Sequence, residues 1–168
     1  MTARKYGDKD LGVPLSEEDI ENEISEINKL PKELTNRIFK EYSQTVNKIL
    51  MMALSQADDE YEIVQIEQLK RIMALCPIEE KFIRSKDKIW KVRKHLITKD
   101  YDFFVKRNYS KMIKEDGNQS FLITLVEIVK SAFIGMSDEE RDKYWVEGAR
   151  LLNYVAQYKK AISGLQKT

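Results

Sequence analysis

The stretch "SFLITLVEIVKSAFIG", residues 120–135, is the most apolar in a chain of which 34% is Asp, Glu, Lys or Arg. A membrane, a buried core and a partner surface each demand a different length and pattern of such a stretch. A spanning helix needs about 20 apolar residues. The run from Phe121 to Ile134 is shorter and carries Glu127 and Lys130. On a helical wheel Ser120, Thr124, Glu127, Lys130 and Ser131 gather on one narrow face, and apolar side chains cover the rest. That is the pattern of a core helix with one wetted edge. The abundance of Ile and Val makes a buried strand the rival reading, but the length and the helical spacing of the polar residues argue against it. Gly135 stands where a helix C-cap glycine belongs. Phe121–Ile134 is therefore read as the central and most buried helix of the fold, with Leu125 and Ile128 well inside it.

Working outward, the same period recurs. Residues 1–14 are broken by Gly7, Gly12 and Pro14 and read as an extended arm that needs a neighbour to order it. Residues 15–168 read as one helical domain. Ser16 and Asp19 form a start signal, followed by Ile20, Ile24 and Ile27 at helical spacing. After Pro31 a long helix carries Leu34, Ile38, Tyr42, Val46, Ile49, Leu50 and Ala53 on one face. A third helix carries Ile63, Ile66, Leu69, Met73 and Cys76, and Pro77 closes it. Beyond Pro77, Phe82, Ile89 and Leu96 repeat every seven residues, as do Ile83, Trp90 and Ile97. One continuous helix would put Lys86 inside that stripe, so a break is expected near Ser85. A short aromatic helix capped by Thr98 or Asp100 continues through Val105, Tyr109, Met112 and Ile113 to the turn Asp116-Gly117-Asn118. Ser137 to Glu140 is a capping box, and Tyr144, Trp145, Ala149, Leu151, Leu152, Val155, Tyr158 and Ile162 mark a long final helix that Gly164 ends. No segment alternates with period two. The fold class is all-α, with about seven helices around Phe121–Ile134.

Composition narrows the function classes. Six Gly and three Pro are few for an all-β chain, and a formal net charge of +1 implies no global field for a polyanion. One cysteine, Cys76, excludes a disulfide framework and a Cys-rich zinc site. It reads as a buried, inert thiol. The opening residues contain no apolar signal segment, which implies an intracellular or virion location, not secretion. The sequons at Asn108 and Asn118 are then chance. His95, the only histidine, sits beside Arg93 and Lys94 and reads as an exposed helix residue, not a general base. The glycines are scattered singly, so there is no phosphate loop. The carboxylate groups Asp58-Asp59-Glu60, Glu79-Glu80 and Asp100/Asp102 lack the i, i+3 or i+4 Glu/His spacing of a bundle metal site and serve as caps. The expectation is a protein without enzymatic activity, cofactor or metal.

Charge is sharply partitioned. Residues 81–114 contain twelve Lys or Arg and three Asp, a net of +9, whereas residues 1–33 carry −4 and residues 58–80 carry −5. Trp90, Tyr101, Phe103, Phe104 and Tyr109 interleave the basic residues. Cations beside aromatics suit nucleic acid, where charges neutralise phosphates and rings stack on bases. The same aromatics lie at core spacing, and the basic helix has two other destinations: the acidic N-terminal half of this chain or an acidic neighbouring protein. Arg84, Lys88, Lys91, Arg93, Lys94, Lys99, Lys106 and Arg107 are the candidate partner surface. Arg93 lies among Ile89, Trp90, Leu96 and Ile97, so its guanidinium is expected to meet a carboxylate, within the fold or on a neighbouring chain, with Glu17–Glu26 and Asp58–Glu67 ranked ahead of Glu127 as internal partners.

The segments "SKDKIWKVRKHL" (85–96) and "SDEERDKYWVEGARLLNYVAQYKKA" (137–161) resemble small helical proteins of large nucleocytoplasmic DNA viruses, in which an acidic or Lys-rich opening leads to a Trp, then Leu, then a late Tyr. The likeness spans about residues 85–162 and includes no diagnostic motif. It implies a virion or minor capsid component and transfers no residue role. The favoured reading is a non-enzymatic helical protein of a larger assembly, with other proteins as partners; the alternative is nucleic-acid binding through residues 81–114.

Overall fold

The structure, a computed structural model, describes residues 15–107 and 121–166. Every regular element in these residues is helical, and there are eight: α1 (Glu17–Ile27), α2 (Lys32–Gln56), α3 (Glu60–Leu75), α4 (Ile78–Lys91), α5 (Arg93–Ile97), α6 (Tyr101–Val105), α7 (Phe121–Phe133) and α8 (Asp138–Gln166). Residues 1–14 and the stretch from Asn108 to Ser120 that was expected to extend α6 lie outside the described residues.

Local chemistry explains where the helices begin. Ser16 accepts from the Asp19 amide at 3.1 Å while the Asp19 carboxylate accepts from the Ser16 amide at 3.3 Å, so the box at α1 is closed in both directions. Asp59 accepts from the Glu62 amide at 2.8 Å to start α3. The Glu140 amide donates to Ser137 Oγ at 3.3 Å at the head of α8. Pro31 and Pro77 stand immediately before α2 and α4, where a missing N–H costs nothing.

The core is built on α2. Its buried face includes Ile38, Phe39, Tyr42, Val46, Ile49, Leu50 and Ala53, and it packs along α8, with α3, α4 and α7 around the pair. Phe82 of α4 is fully buried, with the rings of Phe39, Tyr42 and Tyr158 at 5.1, 5.2 and 5.0 Å. A second aromatic group surrounds Phe133, with Trp145 at 5.2 Å and Tyr144 at 5.6 Å. Leu125 and Ile128 of α7 are buried, as its wheel requires, but α7 flanks the α2/α8 pair and is not its axis. It ends at Phe133, and Ile134 is exposed. Gly135 does not take the left-handed backbone of a C-cap glycine. Arg141 caps the helix instead: its Nε donates to the Phe133 carbonyl at 2.9 Å and its guanidinium covers the Tyr101 ring at 4.1 Å.

The break expected near Ser85 is absent. α4 runs through to Lys91, and the interruption falls at Val92. Lys86 does lie inside the stripe, and its ammonium is neutralised by Glu23 at 2.9 Å and Asp87 at 3.2 Å. Ser85 is held in the helix because its hydroxyl donates to the Lys81 carbonyl at 2.8 Å and bonds the Tyr42 hydroxyl. α5 closes in a Schellman turn, with Asp100 N–H to the His95 carbonyl at 2.9 Å and Lys99 N–H to the Leu96 carbonyl at 3.3 Å. Lys99 sits in the left-handed position at φ 53°, where glycine is usual.

Candidate interaction surface

The basic residues separate into two populations. Arg84 is held at the α1/α4 junction, with Nη2 at 2.7 Å from Glu80 and 3.0 Å from Glu17. Lys88 and Arg107 are each 4% exposed, and Arg107 lies over the Phe103 ring at 5.0 Å. These three expected surface residues do not form an open face. Lys81 is buried as well: its ammonium donates to the Met73 carbonyl at 2.7 Å near the C-terminus of α3, and burial pushes its pKa down. The basic helix thus meets the acidic first helix inside the fold. A phenol joins the same junction, since Tyr158 donates to Glu23 at 2.8 Å.

Lys91, Arg93, Lys94, Lys99 and Lys106 are exposed. Lys99 pairs with Asp142 at 2.7 Å and Lys106 with Asp102 at 3.5 Å. Among the described residues Arg93 has no carboxylate partner. Its Nη1 donates to the Trp90 carbonyl at 2.8 Å and its guanidinium stacks over the Trp90 ring at 4.4 Å. The break at Val92 rotates Arg93 out of the stripe, and an exposed cation is cheaply satisfied by an aromatic face. Trp90 also carries Lys159 at 5.3 Å. Phe103 is buried, Phe104 packs on Trp145 at 5.6 Å, and Tyr101 stacks on Phe133 at 6.2 Å. These rings are committed to the core and do not form a base-stacking platform.

His95 is not the exposed residue the sequence implied. It is partly buried, with Nδ1 2.8 Å from Asp100 and its ring stacked on Phe103 at 3.6 Å. Asp100 also caps α6 by accepting from the Phe103 amide at 3.2 Å, so the pair locks the α5/α6 corner. Cys76 is a free, partly buried thiol at the C-cap of α3. Among the described residues no group of three or more His, Cys, Asp or Glu could hold a metal ion, and no described helix is long and apolar enough to cross a membrane.

A cavity of about 120 Å³ is walled by α4, α5, α6, α7 and α8; its apolar lining includes Leu96, Phe103, Val129 and Trp145, and Gly148 stands in its wall. A Cβ on Gly148 would come within 3.2 Å of the Leu96 Cδ2 methyl, the far end of a flexible, partly buried side chain with space beside it. A helix-interior glycine costs about 1 kcal/mol relative to alanine. Gly148→Ala is therefore expected to stabilise the protein by about 0.5–1 kcal/mol and to raise Tm by about 1–4 °C. A lower Tm in a calorimetric scan would show that Leu96 cannot yield.

The surface feature that the sequence reading passed over is on α3. Ile66, Leu69 and Met73 form its buried face, but Ile63, counted with them, is exposed. The opposite side carries a second apolar row: Tyr61 is 75% exposed, Val64 47%, Ile72 49% and Leu75 85%. A surface helix normally shows water a polar face, whereas α3 exposes apolar side chains on the side away from its core face. The signal was present in the sequence, because 58–80 is too apolar for a helix with a single core face.

No protein-family model, curated protein or solved structure matches the chain.

Proposed function

We propose that this chain is a non-catalytic helical interaction protein that acts as a component of a larger protein assembly. The observation that carries the reading is the exposed apolar row of α3, Tyr61, Val64, Ile72 and Leu75, on a helix whose other face is already in the core. The internal partners of Arg84, Lys86 and Lys81 support it from the other side, because these three cations of the basic segment are used within the fold. The resemblance of residues 85–162 to small helical proteins of large nucleocytoplasmic DNA viruses gives the assembly a specific form, a virion or its minor capsid layer. The test is migration of the tagged full-length chain in a native extract. It should run well above its 19.8 kDa monomer mass, with nuclease treatment making no difference. Migration as a monomer would contradict the proposal.

The second reading, nucleic-acid binding, rests on the exposed trio Lys91, Arg93 and Lys94. Three phosphate contacts give a slope of log K against log salt of only about −2.7. The expected result is no binding of a short duplex by fluorescence anisotropy at physiological salt. A steep slope that falls on Lys91→Glu/Lys94→Glu would establish this second reading instead.

A further inference from the structure

The exposed row on α3 has a symmetry that points to its occupant. Tyr61, Val64, Gln68, Ile72 and Leu75 are spaced by three, four, four and three residues, so the row reads the same from either end about Gln68. At 3.6 residues per turn the five fall within an arc of about 80°. Large side chains stand at both ends, β-branched ones inside them, and a single amide at the centre. All five are exposed.

Building on the interaction reading above, we infer that the partner of this row is a second copy of the chain, with α3 packed antiparallel on α3 about a two-fold axis through Gln68. A two-fold interface requires a patch complementary to itself. In this register Tyr61 meets Leu75 of the other copy, Val64 meets Ile72, and the two Gln68 amides face each other, each with a donor and an acceptor to exchange. The polar centre fixes register, as one amide does in a coiled-coil seam.

Charge selects the antiparallel direction. Glu67 and Arg71 lie on the same flank of the row; Arg71 is exposed, and Glu67 is 43% exposed with only a long 4.0 Å ion pair to Lys70 of its own helix. When helices pair antiparallel, a flank faces its own equivalent. Glu67 then meets Arg71 of the other copy, and the symmetry repeats the pair. A parallel pairing sets that flank against the opposite one, where Gln65 stands. The interface is one helix of 16 residues. It falls at the low end of specific contacts, below about 1,200 Å², so the dimer is expected to dissociate in the micromolar range.

The test uses the purified full-length chain. Sedimentation velocity over a concentration series should show a reversible monomer–dimer equilibrium that Tyr61→Lys/Leu75→Lys abolishes while the melting curve is unchanged. In a Cys76→Ser background, Gln68→Cys should form an intermolecular disulfide under mild oxidation about tenfold faster than Ala74→Cys, because only thiols held on the axis have a high effective concentration. Ala74 is exposed but off the row. Equal rates at the two positions, or no dimer at any concentration, overturn the pairing. If the purified chain is monomeric while its complex in native extract still requires Tyr61 and Leu75, self-pairing is wrong and the interaction reading stands on a different partner. If the lysine variants change neither, both are wrong.

Discussion

Replacing Lys48 and Arg150 together by Met is expected to destabilise the protein by about 3–5 kcal/mol, because it strands a buried carboxylate. Glu147 projects from the middle of α8 and its side chain is 3% exposed. Lys48 of α2 meets it at 2.8 Å, and Arg150 meets both its oxygens, at 2.7 and 3.2 Å. The two cations are themselves half exposed. That asymmetry sets the size of each effect. Take away the cations and the carboxylate stays inside without compensation. Take away the carboxylate, by Glu147→Leu, and Lys48 and Arg150 return to water. The leucine variant should therefore stay within about 1 kcal/mol of the parent, while the double Met variant should melt about 10 °C lower. Urea unfolding with unchanged slope checks both. Equal and small effects would show that water reaches Glu147.

The second large effect is alkaline unfolding. Burial, with the Glu140 carboxylate adding to it, pushes the Tyr144 phenol up to about 12. Burial also raises Tyr42 well above the ordinary phenol range, and raises Tyr158 with help from its bond to Glu23. A group whose pKa is raised by folding contributes stability that is complete below its unfolded value and is lost as pH climbs. For these three phenols the loss begins near pH 10 and reaches about 4 kcal/mol per pH unit, at about 1.4 for each group. Lys81 acts the other way. Its pKa is lowered by burial, so its folded form sheds a proton early and stability rises gently with pH until the unfolded lysine also deprotonates, at about 10.4. The urea midpoint should thus creep upward before about pH 10 and then fall steeply. The rise in tyrosinate absorbance from Tyr42, Tyr144 and Tyr158 should coincide with loss of the helical circular dichroism signal. Full titration near pH 10 with the signal intact would contradict this burial.

The fold was legible wherever a helix has one core face. α2, α7 and α8 have long apolar rows, and Ile38, Val46, Leu125 and Val155 are buried where the wheel puts them. It was misread where a polar side chain is satisfied from far away in sequence. Lys86 argued for a break because nothing nearby shows that Glu23 will reach it at 2.9 Å. Arg84, Lys88 and Arg107 of the basic segment were placed on the surface for the same reason. Counting charge gives its total, but the side of the helix on which Arg84 and Lys88 fall depends on the packing of α1 and α7. His95 was misplaced because its partners, Asp100 and Phe103, come round only through the tight turn at Lys99. The α3 row was overlooked once Ile66, Leu69 and Met73 had supplied a sufficient core face, although Tyr61, Val64, Ile72 and Leu75 were all in view.

The central claim is that contact with partners is made by the apolar face of α3, while Lys81, Arg84, Lys86, Lys88 and Arg107 of the basic segment serve the interior. Two surface variants of the tagged chain, run side by side in native extract, test it most directly. Tyr61→Lys/Leu75→Lys alters the apolar row, and Lys91→Glu/Lys94→Glu alters the exposed basic trio; both change side chains that the fold leaves in water. The account predicts that the first variant migrates at its monomer mass and the second remains in the complex. Loss of the complex in the second variant alone would contradict it.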